Sequence, residues 1–199
     1  MRIVGITGGI ASGKSLVFNQ FMALGAYGID CDVLSREVVR SCSKAWWKIL
    51  EVFGTEILKR NLAIDRNKLR EIVFHDSDKR KVLEAIIHPE VREQYRDMIA
   101  AIKRIEPIPP LVVIDVPLLI ETGLKSEFET VIVVYVKEET QIRRVMARED
   151  VTEEEAKMLI GLQMPLSEKL KFADIVINNE GTLEETEQQV REVYLRLVK

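Results

Sequence analysis

Eight consecutive residues near the amino terminus have the types and the spacing that bind phosphate. The segment GGIASGKS, residues 8–15, matches the pattern G-x-x-x-x-G-K-[ST]; it follows an apolar run and opens a helical pattern. Glycines let the backbone fold around phosphate oxygens, and the N–H groups and dipole of a helix start attract anions. Lys14 is expected to reach the β- and γ-phosphates and the Ser15 hydroxyl to ligate Mg²⁺. The residues predicted to contact a nucleoside triphosphate are Gly8, Gly9, Ile10, Ala11, Ser12, Gly13, Lys14, Ser15 and Leu16.

Two carboxylates follow other apolar runs. Asp115 ends the run LVVID, where a P-loop protein commonly has the acid that orients the magnesium shell; a solvent-facing carboxylate at a strand end is the alternative. Asp32, in the segment DCD, is a candidate base that orients an acceptor hydroxyl and takes its proton. It is equally suited to cap a helix that starts near Val33, and the two roles are compatible.

Basic side chains cluster in the second half of the chain, where a lid over the phosphates would close: Arg143, Arg144, Arg148, Lys157, Lys169 and Lys171. An arginine that closes over bound phosphates neutralises charge in the transition state, while the closing segment excludes water. Most charges of this kind lie on solvated helix faces, so we assign such a role to Arg148 first.

The composition is that of an ordinary globular protein, with 199 residues, 47% hydrophobic and 31% charged. A net charge of -3 gives no reason to expect a nucleic-acid partner. The first residues, MRIVGITGG, do not resemble a signal peptide, and no apolar run reaches the ~20 residues that cross a membrane. We therefore expect a cytoplasmic protein without membrane contacts that acts on a small molecule. The sequence leaves the oligomeric state open, a monomer included.

Five short apolar runs alternate with helical patterns, which predicts parallel strands covered by helices on both faces. The predicted strands are residues 2–7, 26–30, 111–116, 130–136 and 175–177. The expected fold is therefore an α/β three-layer P-loop fold with a five-stranded parallel sheet.

A long helical section lies between the second and third strands, at residues 33–106. Asp65 and Ser77 are predicted helix caps, and Pro89 is expected to open a third helix in the first turn. The segment PIPP, residues 107–110, is expected to end this section because proline does not continue a helix.

Two capping boxes predict further helices, one from Thr152 with Glu155 and one from Thr182 with Glu185. The absence of internal repeats favours one P-loop domain with two insertions. Its core is expected at about residues 1–32, 108–148 and 174–199, with a helical substrate lobe at about 33–107 and a helical lid at about 149–173.

The phosphate loop alone does not distinguish a kinase from a switch. A GTPase switch would carry N-K-x-D and D-x-x-G motifs, but Asn67 and Lys68 are followed by LR, and Asp115 is followed by VPL. A small-molecule kinase is therefore favoured. A nucleoside monophosphate kinase and a non-catalytic nucleotide-binding switch are the alternatives.

An ordered set of segments spans nearly the whole chain: ITGGIASGKS, GIDCDVLSREVV, IIHPEVR, DVPLLIETGL, RVMARE, LQMPLSEKLKFAD and INNEG. With these segments the chain resembles the dephospho-coenzyme A kinases, the enzymes of the last step of coenzyme A synthesis. The resemblance implies that ATP, with Mg²⁺, phosphorylates the ribose 3′-hydroxyl of dephospho-coenzyme A.

The resemblance also implies roles for individual residues. Asp32 would be the base, Thr7 would lie beside the reacting groups, and Arg148 would reach the ATP phosphates from the lid. His88 falls in the lobe used for the coenzyme A moiety, where it would either contact the substrate or cap and pack at a helix start.

Three positions depart from the usual family pattern. Ile120 stands where an aromatic residue is frequent, Ala11 where glycine is usual and Leu16 where threonine is usual. Ala11 requires a backbone that alanine can adopt, whereas Leu16 still offers its N–H group to the α-phosphate. Neither of these two loop changes removes a catalytic group, so activity is expected.

Overall fold

The computed structural model describes residues 1–106 and 111–199, and these form two compact units. The first, which we call the sheet unit, comprises Met1–Asp30 and Ile105–Lys199. The second, the helical unit, comprises Cys31–Arg104. The PIPP segment that was expected to end the helical section lies outside the described residues.

The sheet unit contains a parallel sheet with the order β2-β3-β1-β4-β5. Its strands are β1 (Arg2–Gly8), β2 (Tyr27–Asp30), β3 (Leu111–Asp115), β4 (Thr130–Tyr135) and β5 (Ile175–Asn178). This confirms the predicted five-stranded parallel sheet, with strand ends shifted by single residues. The chain crosses over β1 between β3 and β4, and ligands of such sheets bind at the carboxyl ends of the strands beside such a crossing.

The helices of the sheet unit are α1 (Lys14–Ala23), α6 (Glu138–Glu149), α7 (Glu153–Gly161), α8 (Leu166–Lys169) and α9 (Leu183–Leu197). A core cluster that includes Ile6, Phe21 and Val190 joins the sheet to α1 and α9. Both predicted capping boxes are present, at the start of α7 and at the start of α9.

The helical unit contains α2 (Cys31–Glu37), α3 (Lys44–Phe53), α4 (Arg66–His75) and nearly all of α5 (Ser77–Ile105). Trp46, Ile49 and Leu69 belong to its own buried cluster. The predicted cap at Asp65 is confirmed, because its carboxylate accepts hydrogen bonds from the first backbone N–H groups of α4. No helix in the described ranges is long and apolar enough to span a membrane.

Two predictions about α5 were wrong. Pro89 does not open a separate helix, because it lies inside the continuous helix Ser77–Ile105. A proline in a helix interior costs about 3 kcal/mol, and here buried side chains such as Val91 and Tyr95 hold the helix through it. Ser77 is not the cap either: Asp76 accepts hydrogen bonds from the N–H groups of Asp78 and Lys79.

Candidate active site

The phosphate loop connects β1 to α1, and its backbone depends on glycine at one position. Gly13 precedes α1 with φ of 86°, and a Cβ atom there would lie 2.0 Å from Asn179 Nδ2. Ala11 has φ of 58°, in the left-handed region that costs alanine about 1–2 kcal/mol. The loop therefore holds Ala11 in a left-handed conformation, which alanine adopts only at this cost in free energy.

Side chains from neighbouring elements bind the carbonyl groups of this loop. Gln141 Nε2 donates to Ile10 O at 2.8 Å, and Asn179 Nδ2 donates to Ser12 O at 2.8 Å. Arg144 donates to the carbonyl oxygens of Ala11 at 3.3 Å and of Asn179 at 3.0 Å. Because the carbonyl groups are held in this way, the loop keeps a fixed shape from which its N–H groups can bind phosphate.

Sequence reasoning missed Gln141 and Asn179 and grouped Arg144 only with the basic lid residues. Gln141 and Arg144 are three residues apart on α6, which places them on one face of that helix. Asn179 is further fixed by Thr186, whose buried hydroxyl donates to Asn179 Oδ1 at 3.0 Å. The spacing of Gln141 and Arg144 on α6 could have shown from sequence that the two side chains share a helix face. That they bind the phosphate loop depends on tertiary structure, which the sequence pattern does not show.

A buried hydroxyl group in the loop has a position suited to phosphate. Ser12 is fully buried, and its Oγ has no hydrogen-bond partner among the described residues. A buried hydroxyl group without a partner is costly, and an anionic oxygen atom would relieve that cost. This observation fits the predicted triphosphate site. Ser15 and Leu16, in contrast, are exposed in the first turn of α1.

The predicted phosphate lysine and the predicted metal ligand are in direct contact. Lys14 Nζ donates to a carboxylate oxygen of Asp115, which is 3% exposed at the end of β3. Thr7, also fully buried, donates its hydroxyl to Pro117 O at 3.0 Å. The structure therefore brings Thr7 and Asp115 to the ends of neighbouring strands, as the parallel sheet requires, and Lys14 reaches Asp115 from the start of α1.

The position of Lys169 differs most from what the sequence predicted, which was a basic residue of a lid. Its side chain is fully buried, and Nζ lies 3.0 Å from Gly8 O and 2.8 Å from Glu121 Oε1. Arg148 does lie at the surface, 58% exposed near the end of α6, where it pairs with Glu149. Unlike Lys169, the Arg148 side chain is not held by burial.

The helix α7 begins with a capping box that changes the ionisation of one carboxyl group. The Thr152 backbone N–H and, to a smaller degree, the Thr152 hydroxyl donate to Glu155, and these hydrogen bonds lower the pKa of the Glu155 carboxyl group. The charged form of Glu155 therefore stabilises the start of this helix.

Asp32 belongs to the helical unit, in the first turn of α2. Because α2 begins at Cys31, Asp32 does not occupy the capping position of a helix starting near Val33, so that alternative was wrong. A cavity of about 340 Å³ adjoins it. The lining residues are Asp32, Ser35, Arg36, Val39, Ile49, Ile64, Arg66, Leu69 and Ile87. His88 is exposed in the interior of α5, so it does not cap a helix start.

The donors available to a metal ion are few. In the described ranges, no group of three or more His, Cys, Asp or Glu residues could hold one. Mg²⁺ is usually held by one or two protein oxygens together with substrate phosphates. The Asp115 carboxylate and the Ser15 hydroxyl have the chemistry for that kind of binding.

A parallel sheet of this order, with a phosphate-binding loop between its central strand and the first helix, defines a P-loop nucleotide-binding protein. The sequence profile of the dephospho-CoA kinase family matches residues 2–185. The chain therefore belongs to the dephospho-CoA kinase family.

Individual relatives agree with this assignment. A dephospho-CoA kinase of Bacillus cereus is 48% identical over 195 residues, which cover 98% of this chain and 96% of the relative. A crystal structure from Thermus thermophilus is similar with a TM-score of 0.80 at 35% identity, covering 98% of this chain and 97% of that one. The dephospho-CoA kinase from Campylobacter jejuni has a TM-score of 0.74 at 28% identity, covering 100% and 98%.

Family membership confirms the sequence resemblance and the prediction of a kinase fold and activity. The function that belongs to this family is the final step of coenzyme A synthesis, with ATP as co-substrate. Membership of this family supports neither of the two alternatives, a nucleoside monophosphate kinase and a non-catalytic switch.

Proposed function

We propose that the chain transfers the γ-phosphoryl group of ATP to the ribose 3′-hydroxyl of dephospho-coenzyme A, with Asp32 as base and with Mg²⁺. The observation that carries the proposal is the contact between Lys14 and Asp115 beside a phosphate loop whose carbonyl groups are held by other side chains. A rigid loop with a lysine ammonium group next to it suits phosphoryl transfer, which depends on positioning and on charge stabilisation.

A few residues would bind the triphosphate and its metal ion, each with a different role. The backbone N–H groups of the phosphate loop bind the triphosphate, and Lys14 exchanges Asp115 for the β- and γ-phosphates. Bound at Ser15 and Asp115, Mg²⁺ would neutralise phosphate charge. Arg148 is available to the same phosphates, because its exposed ion pair with Glu149 contributes little stability and is easily exchanged.

The cavity beside Asp32 supports an acceptor with both anionic and apolar parts. Arg36 and Arg66 line it, and guanidinium groups bind phosphate oxygens through charge-assisted hydrogen bonds. Apolar residues, among them Ile49 and Ile64, line it as well. Dephospho-coenzyme A has a diphosphate and an uncharged pantetheine arm, which match these two kinds of lining.

Three further assignments complete the proposal. Asp32 orients the 3′-hydroxyl and accepts its proton as the bond to phosphorus forms. Thr7 lies beside the reacting groups, and its hydrogen bond to Pro117 O steadies the ends of β1 and β3. His88, exposed on α5, contacts the substrate. The proposal includes a cytoplasmic location and no nucleic-acid or membrane partner.

An acceptor panel tests this function directly. The purified protein is incubated with ATP and Mg²⁺, and the formation of ADP and of the phosphorylated acceptor is followed for dephospho-coenzyme A and for each nucleoside monophosphate. We expect turnover of dephospho-coenzyme A with phosphate on the 3′-oxygen. Turnover of a nucleoside monophosphate without any reaction of dephospho-coenzyme A would contradict the proposal.

A further inference from the structure

Lys169, the last residue of α8, is buried in a way that requires an explanation. None of its side chain is exposed, and lysine is almost never fully buried unless its ammonium group is paired. Its partner is the carboxylate of Glu121, 2.8 Å from Nζ and 20% exposed. Apolar residues of the same volume would often give equal or greater stability than such a pair. The other contacts of the ammonium group therefore indicate what it does.

Those contacts are two backbone carbonyl groups beside the nucleotide site. Nζ lies 3.0 Å from Gly8 O, at the first residue of the phosphate loop, and 3.5 Å from Pro117 O. Pro117 O also accepts the hydroxyl of Thr7, at 3.0 Å. One ammonium group thus connects the end of β1 with the segment that follows Asp115.

The segment that carries Lys169 is itself attached to the phosphate loop. Glu121 Oε1 also accepts a hydrogen bond from Met164 N, at 3.2 Å, so the same carboxylate binds both ends of residues 164–169. Between these ends, Leu166 lies so close to the loop that a Cβ atom on Gly9 would be 3.0 Å from its Cγ. Polar contacts at the ends and an apolar contact in the middle fix this segment against the loop.

We propose that Lys169 is a positioning residue for phosphoryl transfer: through the carbonyl groups of Gly8 and Pro117 it holds the phosphate loop in the geometry that binds ATP. Glu121 acts on the loop indirectly, because it fixes the ammonium group. This inference deepens the proposed function. Only the kinetic measurements with dephospho-coenzyme A rest on that function, because ATP affinity is measured without an acceptor.

Two variants separate positioning from stability. Lys169→Met removes the ammonium group and leaves the charge of Glu121 without its partner, whereas the double variant Lys169→Met with Glu121→Gln removes both charges. ATP affinity is measured by calorimetry with Mg²⁺ and no acceptor, alongside thermal unfolding and the kcat and KM for each substrate. Lys125→Met, which removes an exposed ion pair with Asp174 at 3.8 Å, is the matched control.

We expect Lys169→Met to weaken ATP binding by about tenfold to hundredfold, the usual effect of losing a charged hydrogen bond. KM for ATP should rise more than KM for the acceptor, because the loop contacts ATP. The double variant should regain the lost thermal stability, since no charge remains unpaired, but its ATP affinity should stay low. Lys125→Met should bind ATP like the wild type.

Recovery of ATP affinity together with stability in the double variant would show that Lys169 only supports the fold. Unchanged ATP affinity in both variants would overturn the proposal as well. If Lys169→Met fails to fold, the double variant alone decides the question. A wild-type protein that binds ATP but does not phosphorylate dephospho-coenzyme A contradicts the proposed function and leaves the ATP-binding comparison valid.

Discussion

Lys14 Nζ donates a hydrogen bond to the carboxylate of Asp115, which joins the start of α1 to the end of β3. Two side chains that the proposed function assigns to different partners, phosphate and Mg²⁺, are therefore partners of each other. The pair keeps both groups at the site without leaving a buried charge unpaired. Under the proposed function, each group exchanges this contact when ATP and the metal ion bind.

The variant Asp115→Asn tests the metal role, because it keeps the shape and one oxygen acceptor but removes the charge. We expect the Mg²⁺ concentration for half-maximal rate to rise by about tenfold or more, as the loss of a charged interaction predicts. The rate as a function of Mg²⁺ concentration is the measurement. The control is Asp78→Asn, which removes an exposed carboxylate on α5. An unchanged Mg²⁺ dependence would show that Asp115 only anchors Lys14.

The variant Asp32→Asn tests the proposed base. Because asparagine does not accept the proton, we expect the transfer rate to fall by about 10²- to 10⁴-fold. ATP affinity should stay within about twofold of the wild type, since Asp32 belongs to the helical unit and not to the phosphate loop. Equal rates in the variant and the wild type would exclude the role of base.

The strained backbone at Ala11 gives a prediction about stability. Glycine adopts φ of 58° without a Cβ penalty, so Ala11→Gly should raise the free energy of unfolding by about 0.5–1 kcal/mol, after the entropy cost of glycine. Denaturant unfolding measures this difference. A lower free energy of unfolding in the variant would mean that contacts of the Ala11 methyl group stabilise the wild type by more than the backbone strain destabilises it.

The opposite change in the same loop is Gly13→Ala. Its added Cβ atom meets Asn179 Nδ2 at 2.0 Å on a backbone with φ of 86°, so the loop must shift. We expect a loss of about 2 kcal/mol or more in stability and a weaker ATP affinity. Wild-type values for both would be incompatible with the lack of space for a Cβ atom between Gly13 and Asn179.

The strands and the phosphate loop were predictable from sequence because their signals are local. A β-branched run such as 131–134 is buried whichever helices cover it, and the loop motif fixes its own spacing. Pro89 was misread because the rule for proline is also local, while the packing that keeps α5 continuous involves distant residues. A local rule for proline takes no account of long-range packing.

The site was predictable only in part for the same reason. Lys169 lies in a charged stretch, and nothing in that stretch distinguishes a buried ammonium group from a solvated one. Its acceptors, Gly8 and Pro117, are far away in sequence, so only the folded chain shows the contact. The roles of Asp32, Arg148 and His88 stay predictions, and the variant Asp32→Asn tests the first of them.

The capping box of α7 gives a prediction for pH. The pKa of Glu155 is lowered, so its contribution to stability is present above the pKa of the unfolded chain and is lost as the pH falls through the lower folded-state pKa. The protection of the first-turn amide groups of α7 against exchange, measured relative to their intrinsic exchange rate at each pH, should therefore decrease as the pH falls below the ordinary glutamate pKa of 4.5. Glu155→Gln should remove this pH dependence while it keeps the hydrogen bonds of the box. Glu154→Gln, which changes the same charge in the same turn, should keep the wild-type pH dependence; if it abolished the dependence equally, the helix dipole and not the capping box would be responsible.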